Sequence, residues 1–412
     1  MKYIKRLIED ILNDRFENSK CVLVSGTRQV GKSTLLKHLY SNINYVTFDD
    51  LLFKNLANDD PKLFISNLPK PSILDEVQYT PNIFHYIKME CDNANDNGNG
   101  NYLLTGSQQM KIMEKAKESL AGRVSILELQ TLCLREINNI DFNKHFIPTN
   151  EYILLREQKL KKYNNIWGII HRGMYPELYR SNRDWIDFYS SYVKTYVERD
   201  VFEEINIKDE ITFTKFLISI ASRTGQLLNK QNIADEVGVS AKTIDSWLSI
   251  LEKTGLIYIL EPYYSNHLTR AIKTPKIYFK DTGLACYLTR WTTPEALENG
   301  AMAGHMFETF VVNEIIKSFT NEGKEYQFNL FYYRGKDNDV KENEIDLIIE
   351  ENGILYPIEI KKSANPTLSM AKAFKVLDKE IEKKRGQGAI VCLYDKKILL
   401  REDVVVLPIE YI

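Results

Sequence analysis

Nowhere do the 412 residues contain an uncharged apolar run long enough to cross a bilayer, so no membrane-spanning helix is expected. Cysteine is scarce. Cys21, Cys91, Cys133, Cys286 and Cys392 stand singly, without the paired spacing of a zinc site or a disulfide framework, and read as packing residues in a reducing cytoplasm. Net charge is nearly absent as well: a formal −2 excludes a global field that would gather nucleic acid, and any DNA contact must come from local patches. No internal repeat is evident. The first residues, MKYIKRLIEDILNDRF, interrupt their apolar positions with acids and bases, as an amphipathic helix does and the apolar core of a signal peptide does not.

What is present is the composition of a globular protein, 44% hydrophobic and 27% charged, in a chain long enough for two or three domains. The first segment alternates β-rich runs (CVLVSG, NYVTFDD, PSILDEV, NYLLTGS) with helical stretches, the pattern of an α/β parallel sheet wrapped by helices. Within it, DNANDNGNGN at 92–101 reads as a polar surface loop. From 127 to 207 the pattern turns helical and rich in Tyr and Trp, as a helical lid and connector would. NKQNIADEVGVSAKTIDSWLSILEKTGLIYILEPYY then reads as helix, turn at Gly238, helix from Ser240 and β-run, the order of a winged helix-turn-helix. A last α/β segment completes the expected division into 1–126, 127–207, 208–290 and 291–412.

GTRQVGKS, comprising Gly26, Thr27, Arg28, Gln29, Val30, Gly31, Lys32 and Ser33, fits G-x-x-x-x-G-K-[ST] between an apolar strand and a helix that continues with Thr34. Glycines let backbone N–H groups wrap the phosphates of ATP, Lys32 supplies a cation, and the Ser33 hydroxyl can complete a Mg²⁺ shell. SILDEV follows as a second apolar strand ending in two acids. Asp75 is placed to hold the Mg²⁺ and Glu76 to orient the attacking water. At the end of the next strand, LLTGSQ, either Thr105 or Ser107 can sense the γ-phosphate, or both can serve only the strand-to-turn transition.

The second helix of the winged-helix segment offers Lys242, Thr243, Asp245, Ser246, Ser249 and Lys253 but no arginine, thin equipment for reading bases. Two readings stay open: contact with DNA phosphates and shape, or a module that packs against protein.

In EIDLIIEENGILYPIEIKK, period-two alternation puts Glu344 and Asp346 on one face of one strand, and Glu359 and Lys361 on one face of the next. Asp346, Glu359 and Lys361 would meet if the strands were adjacent, the carboxylates holding Mg²⁺ or Mn²⁺ and the lysine steadying an attacking water. The helix MAGHMFETFVVNEIIKSF adds Glu308, which a helical wheel sets in the middle of the apolar face, in preference to Glu314 at its side. The alternative is a binding or packing domain whose charged residues are salt-bridged.

The P-loop, ILDEVQ, LTGS and LAGRV, with YPELY, YVERDV, TPKIYFKDTGLACYL and GHMFETFVVNEI, resemble the AAA-type ATPases of bacteria and archaea that carry an uncharacterised C-terminal region. The likeness covers nearly the whole chain. It departs at LQTLCLREI, where that family more often has a proline and a serine. It implies a Mg²⁺-dependent ATPase acting on or with DNA, with Arg123 of LAGRV as arginine finger or sensor, or else as a surface arginine; a finger acting in trans would require a homo-oligomer. The C-terminal order of helix, strands, helix and strand is similar to the core of PD-(D/E)xK nucleases of the resolvase type, with Ile345 where proline more often precedes the aspartate. That likeness implies an ATP-regulated, metal-dependent nuclease as one alternative, beside a regulator that binds a partner without cutting.

Overall fold

A computed structural model describes residues 3–92, 98–107, 120, 122–195, 209–264, 274–337, 340–379 and 383–412. Helix α1 (Glu9–Asn18) leads into β1 (Cys21–Gly26), α2 (Lys32–Leu39), β2 (Asn44–Thr47), α3 (Leu51–Asp59), α4 (Pro61–Ser66), β3 (Ser72–Asp75), α5 (Ile83–Asp92), β4 (Tyr102–Ser107) and β5 (Val124–Glu128). The five strands pair in the order β2-β3-β4-β1-β5, and every ladder is parallel. β1 lies inside this sheet and all six of its residues are buried, which is why it reads as continuous Val, Leu and Cys without alternation. The expected boundary at 126 falls within β5, which keeps pairing with β1 as far as Glu128, so the sheet runs two residues beyond it.

Short helices follow: α6 (Leu134–Ile137), α7 (Asn150–Glu157), α8 (Ile166–Arg172), α9 (Glu177–Arg180) and α10 (Trp185–Tyr192). Thr149, Asn165 and Asp184 cap three of them, each side chain accepting a backbone N–H of the first turn. The aromatic residues of this stretch turn inward, with Phe188, Tyr189 and Tyr192 fully buried. YVERDV, residues 196–201, lies outside the described residues.

The next elements are α11 (Glu210–Ala221), β6 (Gln226–Leu227), α12 (Lys230–Val237), α13 (Ala241–Lys253), β7 (Ile257–Leu260) and β8 (Lys276–Phe279), whose strands form a three-stranded antiparallel sheet ordered β6-β8-β7. Gly238 closes α12 at φ 84°, and Ser240 caps α13 by accepting the N–H of Thr243. Ile244, Trp247, Leu248 and Leu251 make the buried stripe of α13, while Lys242, Asp245 and Ser246 face outward.

Helices α14 (Thr282–Leu288) and α15 (Pro294–Glu298) lead to α16 (Ala303–Asn321), the long helix of the last layer. Against it lie β9 (Leu330–Asp337), β10 (Val340–Glu351), β11 (Ile354–Lys361), β12 (Lys384–Arg385), β13 (Gly388–Cys392), β14 (Ile398–Arg401) and β15 (Val404–Pro408). The sheet path is β14-β15-β13-β11-β10-β9, with β12 also beside β11. The helix expected at MAKAFKVLDKEI is instead a 3₁₀ helix over Leu368–Lys379. Its buried residues, Ala371, Phe374 and Leu377, recur every third position, so a three-residue turn keeps all of them in one row toward the sheet.

These layers share one apolar core running from Ile8, just before α1, and Leu12 of α1 through to Ile409 and Ile412. Polar contacts join them as well. Glu314 accepts the backbone N–H of Leu134 at 2.6 Å, Lys317 donates to the Leu132 carbonyl at 2.7 Å, and Arg135 donates to the Ile412 carbonyl at 3.0 Å. All five cysteines are buried and unbridged. Among the described residues no helix is long and apolar enough to cross a membrane.

Candidate functional site

The loop from Gly26 to Gly31 turns the chain from β1 into α2. A Cβ on Gly26 would stand 2.3 Å from the Leu129 carbonyl oxygen, so no other residue fits there, and Gly31 sits at φ 95° as the N-cap of α2. Arg6 braces this loop from outside, its guanidinium donating to the Val30 carbonyl at 2.9 Å and the Gln130 carbonyl at 2.7 Å. The Lys32 ammonium folds back onto the carbonyls of Gly26 and Thr27, at 3.1 and 3.0 Å. Burial pushes the Lys32 amine down to about 8, assisted by Arg28 and opposed by Glu76 and Asp75.

Asp75, at the end of β3, is the hub. Its Oδ1 accepts the Ser33 hydroxyl at 2.8 Å and the Thr105 hydroxyl, and its Oδ2 accepts the Tyr45 hydroxyl. Thr105 also accepts the backbone N–H of Glu76 at 3.1 Å. Glu76 adopts a left-handed backbone, φ 59° and ψ 46°, and Gln78 donates to its carboxylate. A non-glycine residue held at positive φ beside a P-loop stores strain where a water-orienting group is expected. Ser107 closes β4 opposite Gly26, with its side chain outside the described residues. Thr34 lies in the first turn of α2. Arg123 pairs with Asp92 at 2.6 Å on the surface. The glycine-bound cradle, the buried ammonium and the hard oxygens of Ser33 and Asp75 fit a magnesium nucleotide.

The second cluster is built by α16, β10 and β11. Past Leu347 and Ile358 the β10–β11 ladder stops, and the register of β10 against β9 shifts between Ile345 and Ile348. Asp346 fills the gap, its Oδ2 accepting the Ile360 N–H at 2.8 Å and the Lys361 ammonium at 3.2 Å. Lys361 also stands 2.6 Å from Glu359 Oε1. Glu308 reaches in from α16. The structure therefore brings together Asp346, Glu359, Lys361 and Glu308, while Glu314 pairs elsewhere with Lys317 at 3.0 Å.

Sequence reasoning missed Lys276 of β8. Its ammonium lies 2.9 Å from Glu308 Oε1, 2.7 Å from Glu344 Oε1 and 3.7 Å from Asp346 Oδ1, and Tyr278, two residues on, donates to the same Glu308 oxygen at 2.7 Å. The signal available was a lysine inside the otherwise apolar strand KIYF, a residue type rarely buried without a partner. Burial works against the charge of Lys276, but Tyr278, Glu308, Asp346 and Glu344 outweigh it and hold the amine protonated. Burial, with Asp346 beside them, pushes Glu308 up to about 7 and Glu359 up to about 8.

The donor oxygens are chemically suited to a hard cation, yet their arrangement is not. Glu308 faces Lys276 and Tyr278, Asp346 faces Lys361 and the Ile360 amide, and no group of three or more His, Cys, Asp or Glu among the described residues could hold a metal ion. The cluster as folded is closed around ammonium groups.

Residues 18–138 match the AAA domain family, 164–295 the domain of unknown function DUF8612, and 303–412 the domain of unknown function DUF4143. An uncharacterised protein of Mycobacterium tuberculosis is 26% identical over 396 residues, spanning 95% of this chain and 80% of that protein. One of Methanocaldococcus jannaschii is 25% identical over 324 residues, spanning 67% of this chain and 65% of its own. The Walker-type ATPase of Pyrococcus abyssi aligns with 68% of this chain and 94% of its own at 14% identity and a TM-score of 0.38, a likeness too partial to extend further. Strand order, phosphate loop and family match agree that the N-terminal segment, residues 18–138, is similar to the AAA domain family and carries a P-loop.

Proposed function

We propose that this protein is a Mg²⁺-dependent ATP-binding and ATP-hydrolysing switch that acts on or with DNA. The observation that supports the reading is the bond from Ser33 to Asp75, two side chains whose oxygens suit magnesium, at the start of the helix that carries Lys32. Bound Mg²⁺ would supply charge neutralisation at the transferring phosphoryl group. The chain's own residues do the rest. Loop amides from Gly26 to Gly31 cradle phosphates, Lys32 exchanges its carbonyl partners for phosphate oxygens, Glu76 orients water, and Thr105 ties Glu76 to Asp75. Support for DNA comes from the order of α11, β6, α12, α13, β7 and β8, which suits a winged helix; the outward face of α13 carries few cations, and its Asp245 pairs with Lys230 at 2.5 Å. The test is nucleotide binding and turnover. Lys32→Ala should abolish binding and Glu76→Gln should bind ATP without turning it over; unchanged hydrolysis in both sinks the proposal.

A second reading, an ATP-regulated nuclease, draws on the meeting of Asp346, Glu359 and Lys361, and it is the opposite of the closed cluster described above, because it requires metal to displace the ammonium groups from these carboxylates. It expects Mg²⁺- or Mn²⁺-dependent cleavage of labelled single-stranded, duplex or branched DNA that Asp346→Ala and Lys361→Ala remove while ATP hydrolysis persists. Absence of cleavage beside intact hydrolysis would leave a regulator that binds DNA or a protein partner without cutting.

A further inference from the structure

We propose that Lys276 is the resident cation of the C-terminal carboxylate cluster and keeps divalent metal out of it. The inference goes beyond the ATPase reading and does not depend on it.

A lysine ammonium in the interior survives only where carboxylates compensate it. Lys276 is 2% exposed and meets three carboxylates supplied by two elements, Glu308 of α16 and Glu344 and Asp346 of β10. It does not belong to the sheet that carries Asp346 and Glu359. It is a residue of β8, paired there with Leu227 and Leu260. β8 is also fastened to α16: Asn313 donates to the Phe279 carbonyl at 2.8 Å, the Phe279 N–H donates at 3.0 Å to Thr224, whose hydroxyl shares a hydrogen bond of 2.9 Å with Thr309, and Tyr278 shares Glu308 with Lys276. The position of the ammonium is therefore set by the fold and not by the rotamer of a loose surface chain.

A small dication needs about six oxygens at about 2.1 Å around one point. Here the inward oxygen of Glu308 already takes two donors, Asp346 Oδ2 takes two, and Glu359 Oε1 takes Lys361. Among the oxygens that remain, Glu359 Oε2 is buried with no hydrogen-bond partner among the described residues, on a residue 7% exposed. That orphan lone pair shows that the cluster holds more acceptor capacity than its two lysines use. Taking away the ammonium that cannot leave would release Glu308, Glu344 and Asp346 to join it.

The experiment is Mn²⁺ titration of the full chain without nucleotide, followed by calorimetry, for wild type, Asp346→Asn, Lys276→Gln, Lys276→Arg and the double variant Lys276→Gln with Asp346→Asn. Wild type and Asp346→Asn should bind Mn²⁺ alike, because the cluster takes none. Lys276→Gln should bind at least roughly tenfold more tightly than wild type, since a nearby like charge has been removed; the gain should vanish in the double variant, and Lys276→Arg should behave as wild type. Wild-type binding that Asp346→Asn abolishes would overturn the proposal, and that comparison needs no change at Lys276. A folded Lys276→Gln with no gain would overturn it equally. Nucleotide binding, measured separately, reports on the P-loop alone, so failure here leaves the ATPase reading standing.

Discussion

Arg6 and Glu136 form an ion pair of 3.1 Å whose side chains are 4% and 0% exposed, 130 residues apart in the chain. The same guanidinium holds the Val30 carbonyl, and Glu136 accepts the backbone N–H groups of Leu7 and Cys133 at 2.8 and 3.0 Å. The pair thus joins the segment before α1, the phosphate loop and α6. Removing one partner of such a pair strands a buried charge, which costs about 3–5 kcal/mol. Glu136→Gln and Arg6→Met should each lose stability on that scale in urea unfolding, and both should weaken ATP binding because Val30 is no longer braced. A loss below about 1 kcal/mol, the range of an exposed pair, would contradict this.

Thr105 is fully buried and touches both halves of the candidate catalytic pair, donating to Asp75 and accepting from the Glu76 amide. Thr105→Val keeps the shape but strands the Glu76 N–H, worth about 1–3 kcal/mol when left unsatisfied in the interior, and leaves Asp75 Oδ1 with Ser33 as its remaining donor. The variant should be destabilised and should lose kcat for ATP hydrolysis more than it raises KM, because Glu76 is no longer held at its strained backbone. Steady-state kinetics with a denaturation curve would check it; a pure KM effect would show that Thr105 serves binding instead.

The Lys32 amine sits near 8 because it is buried, so the unliganded protein begins to lose this proton just above neutral pH. Phosphate oxygens favour the charged form, and binding at pH 8.5 should therefore draw a proton from solvent. ATP affinity should be flat below about pH 8 and fall above it. Calorimetry in two buffers of different ionisation enthalpy would measure the uptake, and equal heats in both would exclude it.

How much of this was legible follows from how local each signal is. The phosphate loop could be read because its requirements sit within eight residues: Gly26 must pass the Leu129 carbonyl, and Gly31 must turn left-handed. The pairing of Glu359 with Lys361 could be read because a strand alternates, and Ile358 and Ile360 mark the opposite face. Lys276 could not. Glu308 and Asp346 lie 32 and 70 positions beyond it on elements whose packing no short pattern specifies, so nothing near Lys276 in the sequence names its partners. Arg6 was hidden for the same reason. The 3₁₀ helix was misjudged because MAKAFKVLDKEI also suits an α-helix, and only the sheet beneath it selects the three-residue row.

His145 bridges the end of α16 to β10: its Nδ1 meets Glu322 and its Nε2 lies 2.8 Å from Glu351, with Lys324 3.1 Å from the other Glu351 oxygen. Burial disfavours the imidazolium, but hydrogen bonds to the two carboxylates and their charges outweigh it, and the pKa lies above its usual 6.5. The hydrogen bond from His145 takes Glu351 down to about 2, and Glu322 is lowered too despite its burial. The sign of the effect on stability follows from linkage. The histidine contribution is complete below the unfolded value near 6.5 and is lost as pH rises through the raised folded value. The carboxylate contribution is complete above about 4.5 and is lost as pH falls toward 2. The cluster therefore stabilises the fold most between about pH 4.5 and 6.5. The difference in Tm between wild type and His145→Gln should be largest in that window and should shrink as pH is raised toward 9. Thermal unfolding across that range decides it, and a difference that stays constant or grows with pH would show that His145 contributes by packing on Phe319, 4.7 Å away between ring centres, and not by charge.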